Sequence, residues 1–106
     1  MTRIPTNRPP THPGEMLIEE FLKPMGISQK ELAEGVHMPY QRVNEIVNGH
    51  RGITPGTALR LAKYFGTSEA FWMNLQLHWE LFRARRAEAR ILTDIKRHRV
   101  ASTPPR

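Results

Sequence analysis

Ser28 is followed three positions on by Glu31 and preceded by Ile27, which can pack onto Leu32. A hydroxyl and a carboxylate at that spacing cap each other's free amides at the start of a helix, and the apolar pair fixes the angle at which the chain enters it. This is the firmest local constraint in the chain. The helix it opens is short, because Gly35 weakens it and a new apolar pattern, Val43, Ile46 and Val47, begins after Pro39. A further helix is expected from about Pro39 to Val47, ended by Asn48-Gly49, with about three residues joining the two. Such a short connection makes one helix cross over the other, which is the requirement of a helix-turn-helix.

The flanking segments are punctuated in the same way. From Pro13, residues Leu17, Ile18, Phe21 and Leu22 fall on one helical stripe, and Pro24 with Gly26 is expected to stop it. Ile53-Thr54-Pro55 repeats the start logic, with Ala58, Leu61, Ala62 and Phe65 as the buried face and Gly66 as the stop. Thr67-Ser68 caps a long pattern in which Trp72, Leu75, Trp79 and Phe82 step by three and four, supported by Phe71 and Leu77, to at least Ala89. Ile91, Leu92 and Ile95 fit either an extension of that helix or an irregular tail. The expected fold is therefore all-α, with five helices of which the last is long. The expected organisation is a Pro- and Thr-rich arm over residues 1–12, one domain over 13–89 and a basic tail over 90–106, loose at its end.

A chain of 106 residues with 39% apolar content suits one small domain. Absence of cysteine removes disulfides, thiolate metal sites and cysteine nucleophiles. No apolar run is long enough to span a membrane, and the start lacks a secretory pattern, so the expected location is the cytoplasm. The net charge of +6 is unevenly laid out: residues 1–50 hold five Lys/Arg and six Asp/Glu, residues 51–106 eleven and four. A basic surplus draws polyanions in general.

In a DNA-binding pair of helices, the exposed start of the second reaches base edges. Leu32, Val36, Val43 and Ile46 can close the interior, and Ala33 is small enough for close approach, which leaves Tyr40, Gln41, Asn44 and Glu45 outward. The amides of Gln41 and Asn44 donate and accept at once, as adenine requires, and Tyr40 offers a ring to a thymine methyl. Arg42 suits a phosphate or guanine; Glu45 suits cytosine or the orientation of Arg42. Phosphate contacts are expected from Gln29, Asn48, His50 and Arg51. Taken singly, these polar residues fit a solvated helix face equally well; their joint spacing and capping favour DNA.

At these residues the chain resembles the XRE-type helix-turn-helix proteins, and among them the HigA antitoxins. The resemblance runs through Arg8-Pro9-Pro10-Thr11-His12-Pro13-Gly14-Glu15, Gly26-Ile27-Ser28-Gln29, Glu31-Leu32-Ala33, Arg42-Val43-Asn44-Glu45-Ile46-Val47-Asn48-Gly49, Ile53-Thr54-Pro55 and Phe65-Gly66-Thr67-Ser68 to Phe71-Trp72, covering roughly residues 8–82. It implies a lambda-repressor-like domain and a dimeric repressor of its own operon. It also implies a HigB-like toxin as partner, an mRNA-cleaving ribonuclease of RelE-like fold, and no enzymatic activity in the chain itself. One position departs: the turn residue usually given to Gly is His37.

A stripe such as Trp72, Leu75, Trp79 and Phe82 is ordinarily core. With little cover for so many aromatics, a homodimer through this helix is expected, and its two-fold axis sets the spacing of two recognition helices. The run Arg83, Arg85, Arg86, Arg90, Lys96, Arg97 and Arg99 is ordinarily a solvated face; DNA backbone and anionic membrane are its other uses. Glu15, Glu19, Glu20, Glu31 and Glu34 ordinarily serve solubility and, by the resemblance, suit a basic toxin. The five histidines form no metal-ligand spacing, so no metal and no cofactor is expected. The rival readings are a stand-alone regulator of the same fold, which a neighbouring toxin gene distinguishes, and a protein-interaction scaffold with the amides never meeting a base.

Overall fold

The computed structural model describes residues 10–98. The last three positions of the expected arm fall within it; residues 1–9 and 99–106, including Arg99 and the expected loose end, lie outside. Eight helical elements follow one another: α1 (Pro13–Leu17), a π-helical turn (Ile18–Leu22), α2 (Lys23–Met25), α3 (Gln29–Gly35), α4 (Tyr40–Val47), α5 (Pro55–Phe65), α6 (Glu69–Ala87) and α7 (Ala89–Asp94). The first three form one rod, so the five expected helices are all present and α7 is added. Among the described residues no helix is long and apolar enough to cross a membrane.

Two expected boundaries are corrected. Pro24 lies inside the first rod, not at its end, and Gly26, with φ 67°, ends it. Ahead of the proline the Lys23 N–H reaches back five residues to the Ile18 carbonyl. The widened turn belongs to the stretch where a ring without an N–H, and in conflict with an ordinary helical carbonyl, has to be accommodated. The last long helix stops at Ala87 rather than reaching Ala89. At Glu88 the backbone leaves helical angles (φ −100°, ψ 6°), and α7 restarts beyond it.

The caps stand where the sequence put them. Ser28 Oγ accepts from Glu31 N–H at 3.0 Å and Glu31 Oε1 accepts from Ser28 N–H at 3.0 Å. Thr54 and Ser68 accept from the amides of Thr57 and Phe71. Leu17, Leu22, Leu32, Ala33, Val36, Val43, Ile46, Ile53, Ala58, Leu61 and Trp72 make one core. Trp72 is wholly buried beside Phe21, Phe65 and Phe71, and its indole N–H donates to Thr67 Oγ1 at 2.7 Å. Its expected place in a dimer seam is therefore corrected: it is core of its own chain, and Leu75 packs against that core.

The start of α1 positions the rest. His12 Nδ1 accepts the Gly14 N–H at 2.9 Å, so a neutral imidazole caps the helix, and its ring meets Trp79 edge-on at 5.2 Å. A methyl group on Gly14 would lie 1.7 Å from the Ile46 carbonyl oxygen, which shows how closely α1 is laid on α4. Gly14→Ala must therefore force two backbones apart. A loss of about 3 kcal/mol or more is expected in denaturant unfolding, at the upper end of overpacking costs. A wild-type midpoint would contradict the contact.

Burial holds His12 below its ordinary value of 6.5, with Glu15 opposing and Arg83 assisting. The unfolded chain takes up this proton first as pH falls. The stabilisation is thus complete above about pH 6.5 and is lost as pH drops from there through the lower folded value. Unfolding midpoints at about pH 8 and pH 5 are expected to differ less in His12→Ala than in the wild type.

Candidate nucleic-acid interface

The turn between α3 and α4 is a glycine-type helix terminus built without glycine. Met38 N–H donates to the Ala33 carbonyl at 2.9 Å and His37 N–H to Glu34 at 3.3 Å, the paired bonds of a Schellman motif. The motif needs a left-handed residue, and His37 supplies it with φ 58°, the one non-glycine residue with positive φ among those described. Met38 and Ala33, the hydrophobic pair that accompanies such a turn, are both buried. From α5, Arg60 Nη1 donates to the Val36 carbonyl at 3.0 Å and also to that of His37. Arg60 is a turn clamp that local pattern reading missed, since its partners lie more than twenty residues away.

Beyond this turn, α4 buries Val43 and Ile46 and turns its first residues outward. Tyr40 is 53% exposed, and Gln41 and Arg42 are exposed. Asn44 and Glu45 are half-buried. The free-standing amide expected at Asn44 is corrected: its Nδ2 donates to Gln29 Oε1 at 3.0 Å, and its Oδ1 accepts from Asn48 Nδ2 at 3.1 Å. Gln29, Asn44 and Asn48 thus form one chain of amides across α3 and α4. Each amide nitrogen carries two hydrogens, so Asn44 and Asn48 keep one donor each and Gln29 keeps both.

Glu45 is likewise tied, and to Arg51 rather than Arg42: Arg51 Nε donates to Glu45 Oε1 at 2.8 Å. The Arg51 hydrogen bond holds the Glu45 carboxyl below its ordinary value. The loop that carries Arg51 is fixed by a second Schellman motif, in which His50 N–H donates to the Glu45 carbonyl at 2.8 Å and Gly49 adopts φ 79°. It is also tied to α6, where Gln76 Oε1 accepts the Ile53 N–H at 2.6 Å and Gln76 Nε2 donates to Glu80. Gln76, buried despite its polarity, gave no periodic signal in the sequence.

The structure therefore brings eight of the nine expected DNA-contacting residues into two sets. Tyr40, Gln41 and Arg42 are open on the first turn of α4, while the others are tied to one another, Gln29, Asn44 and Asn48 in the amide chain and Glu45 with Arg51 in a separate pair. His50, also exposed, stands beside Arg51 in the loop. Of the expected seam, Trp79 and Phe82 remain half-buried on the outer part of α6, and the Arg86 guanidinium lies 5.5 Å over the Phe82 ring.

A helix-turn-helix family model matches residues 18–72. Virulence-associated protein I of Dichelobacter nodosus is 52% identical over 73 residues, 69% of this chain and 68% of that protein. Antitoxin HigA-1 of Vibrio cholerae is 40% identical over 80 residues, 76% of this chain and 75% of that protein. The solved structure of Pseudomonas aeruginosa antitoxin HigA with the higBA promoter superposes with a TM-score of 0.79 at 42% identity, covering 82% of this chain and 96% of that one.

His37 bears the cost of a left-handed backbone that glycine does not. His37→Gly is expected to raise stability by about 0.5–1 kcal/mol, the relief of strain less the added freedom of the unfolded chain. Destabilisation on thermal melting would show that the imidazole contributes more than the strain removes.

Proposed function

Because the chain belongs to the XRE-type helix-turn-helix family that includes the HigA antitoxins, we propose that it is a sequence-specific DNA-binding antitoxin. It binds the operator of its own operon, represses it, and neutralises a HigB-like mRNA-cleaving toxin. The observation that carries this reading is the open Tyr40, Gln41 and Arg42 at the start of a helix braced on its inner side by Val43 and Ile46. Tyr40 and Gln41 read base edges, Arg42 takes a guanine or a phosphate, and Asn44 reads or positions through its remaining N–H. Gln29, Asn48, His50 and Arg51 hold the backbone.

The protein acts in the cytoplasm as a homodimer, without catalysis of its own. With Trp72 buried in the core and Leu75 packed against it, a second copy meets α6 through Trp79 and Phe82. Glu15, Glu19, Glu20, Glu31 and Glu34 are all exposed and offer the toxin an acidic face. A stand-alone regulator remains the second reading. A small basic ribonuclease encoded alongside, and bound on co-expression, separates the two.

On the preferred operator, Gln41→Ala is expected to cost about 1–3 kcal/mol and to relax discrimination. Arg51→Ala is expected to weaken all sequences alike and to reduce the salt slope by about one unit. Titrations of a specific and a random duplex across a salt series measure both. Identical behaviour of the two variants contradicts this division of roles, and weak, sequence-indifferent binding by the wild type contradicts the DNA reading itself.

A further inference from the structure

From the groove between the loop after α4 and the outer part of α6, we infer that Arg83 is a DNA-phosphate contact acting together with His50 and Arg51. The inference rests on α4 being the helix that enters the duplex. The groove has a volume of about 450 Å³ and is lined by His12, His50, Arg51, Glu80, Arg83 and neighbouring residues of both elements. Its cationic side chains therefore come from two elements far apart in sequence and close in space.

The groove is held at fixed width. The Ile53 N–H is bonded to Gln76 Oε1 at 2.6 Å, and Gly52 lies so close to Gln76 that an added methyl would come within 2.7 Å of the amide. The loop that follows α4 and the helix that carries Arg83 therefore move as one body. A strand seated along α4 passes this loop, where phosphate contacts of the flanking backbone belong.

The charges match a diester. Among the described residues Arg83 has no carboxylate within ion-pair distance, and its side chain is exposed. Glu80, the acid in the groove, accepts the Gln76 amide at 2.7 Å. Arg51 is shared with Glu45, so Arg83 is the guanidinium of the groove free to take an anion without first breaking a pair. A planar fork of donors suits two phosphate oxygens. Arg85, exposed two residues further on and so on the other side of α6, does not line the groove.

The experiment is a salt series with the full chain on a duplex carrying its own promoter region, comparing the wild type with Arg83→Ala, Arg83→Lys, Arg85→Ala and Arg51→Ala. One released counterion contributes a slope of about 0.9, so Arg83→Ala is expected to lose about fivefold in affinity at about 0.15 M salt relative to about 1 M. Its preference among sequences is expected to stay unchanged, Arg83→Lys to recover the slope, and Arg85→Ala to match the wild type. An Arg83→Ala slope equal to wild type, while Arg51→Ala lowers it, overturns the inference and leaves the DNA reading intact. So does a change of oligomeric state in sedimentation with an unaltered slope, which assigns Arg83 to an acidic group of a second copy. A wild-type chain without salt-dependent duplex binding brings down both.

Discussion

The contact between Gly14 and the Ile46 carbonyl is the constraint from which the rest of the molecule takes its shape. α4 has eight residues, too few to hold a helix by its own hydrogen bonds in water, so its position must come from its neighbours. α3 supplies one brace through the buried wedge of Leu32, Ala33, Val43 and Ile46. α1 supplies the other by lying directly on the backbone of the last turn, at a distance only glycine permits. With both in place the outward face of α4 is presented by a rigid body, and its side chains meet a partner without a further ordering cost in the backbone.

Behind that face, polar groups are paired before any ligand arrives. The amides of Gln29, Asn44 and Asn48 orient one another, and Glu45 holds Arg51 close to the end of the helix. Pre-orientation lowers the entropy lost on binding, at the expense of donors already in use. Glu45 also places a negative charge near an expected phosphate path, so the pair tempers the attraction that Arg51 alone would exert. α6 divides in the same spirit: its first turns, with Trp72 and Gln76, belong to the core and the loop anchor. Its later turns carry Arg83, Arg85 and Arg86 outward beside Trp79 and Phe82.

Much of this was legible in the chain because it is local. Ser28 with Glu31, Thr54 with Pro55, and Ser68 act within one turn of themselves, so the starts of α3, α5 and α6 follow from residue order. The core positions Leu32, Val36, Val43 and Ile46 follow from a repeat of three and four. The left-handed turn at His37 was visible only through the family resemblance, as a departure from its usual glycine, and the backbone there has the positive φ that the departure implied. Pro24 misled because a proline ordinarily ends a helix, whereas the π-helical turn ahead of it carries the rod through to Gly26.

The sequence by itself determined which segments up to Ala87 are helical, where most of them begin, and that Tyr40 and Gln41 stand open on α4, since caps, turns and apolar periods are written within a few positions of one another. Tertiary structure alone decided the partners. It took Trp72 into the core, joined Asn44 to Gln29, gave Glu45 to Arg51, set Arg60 on the turn and brought Arg83 to the loop after α4. Each of those depends on how helices distant in the chain come to lie against one another. That is fixed by close packing of the assembled core and leaves no period in the order of residues.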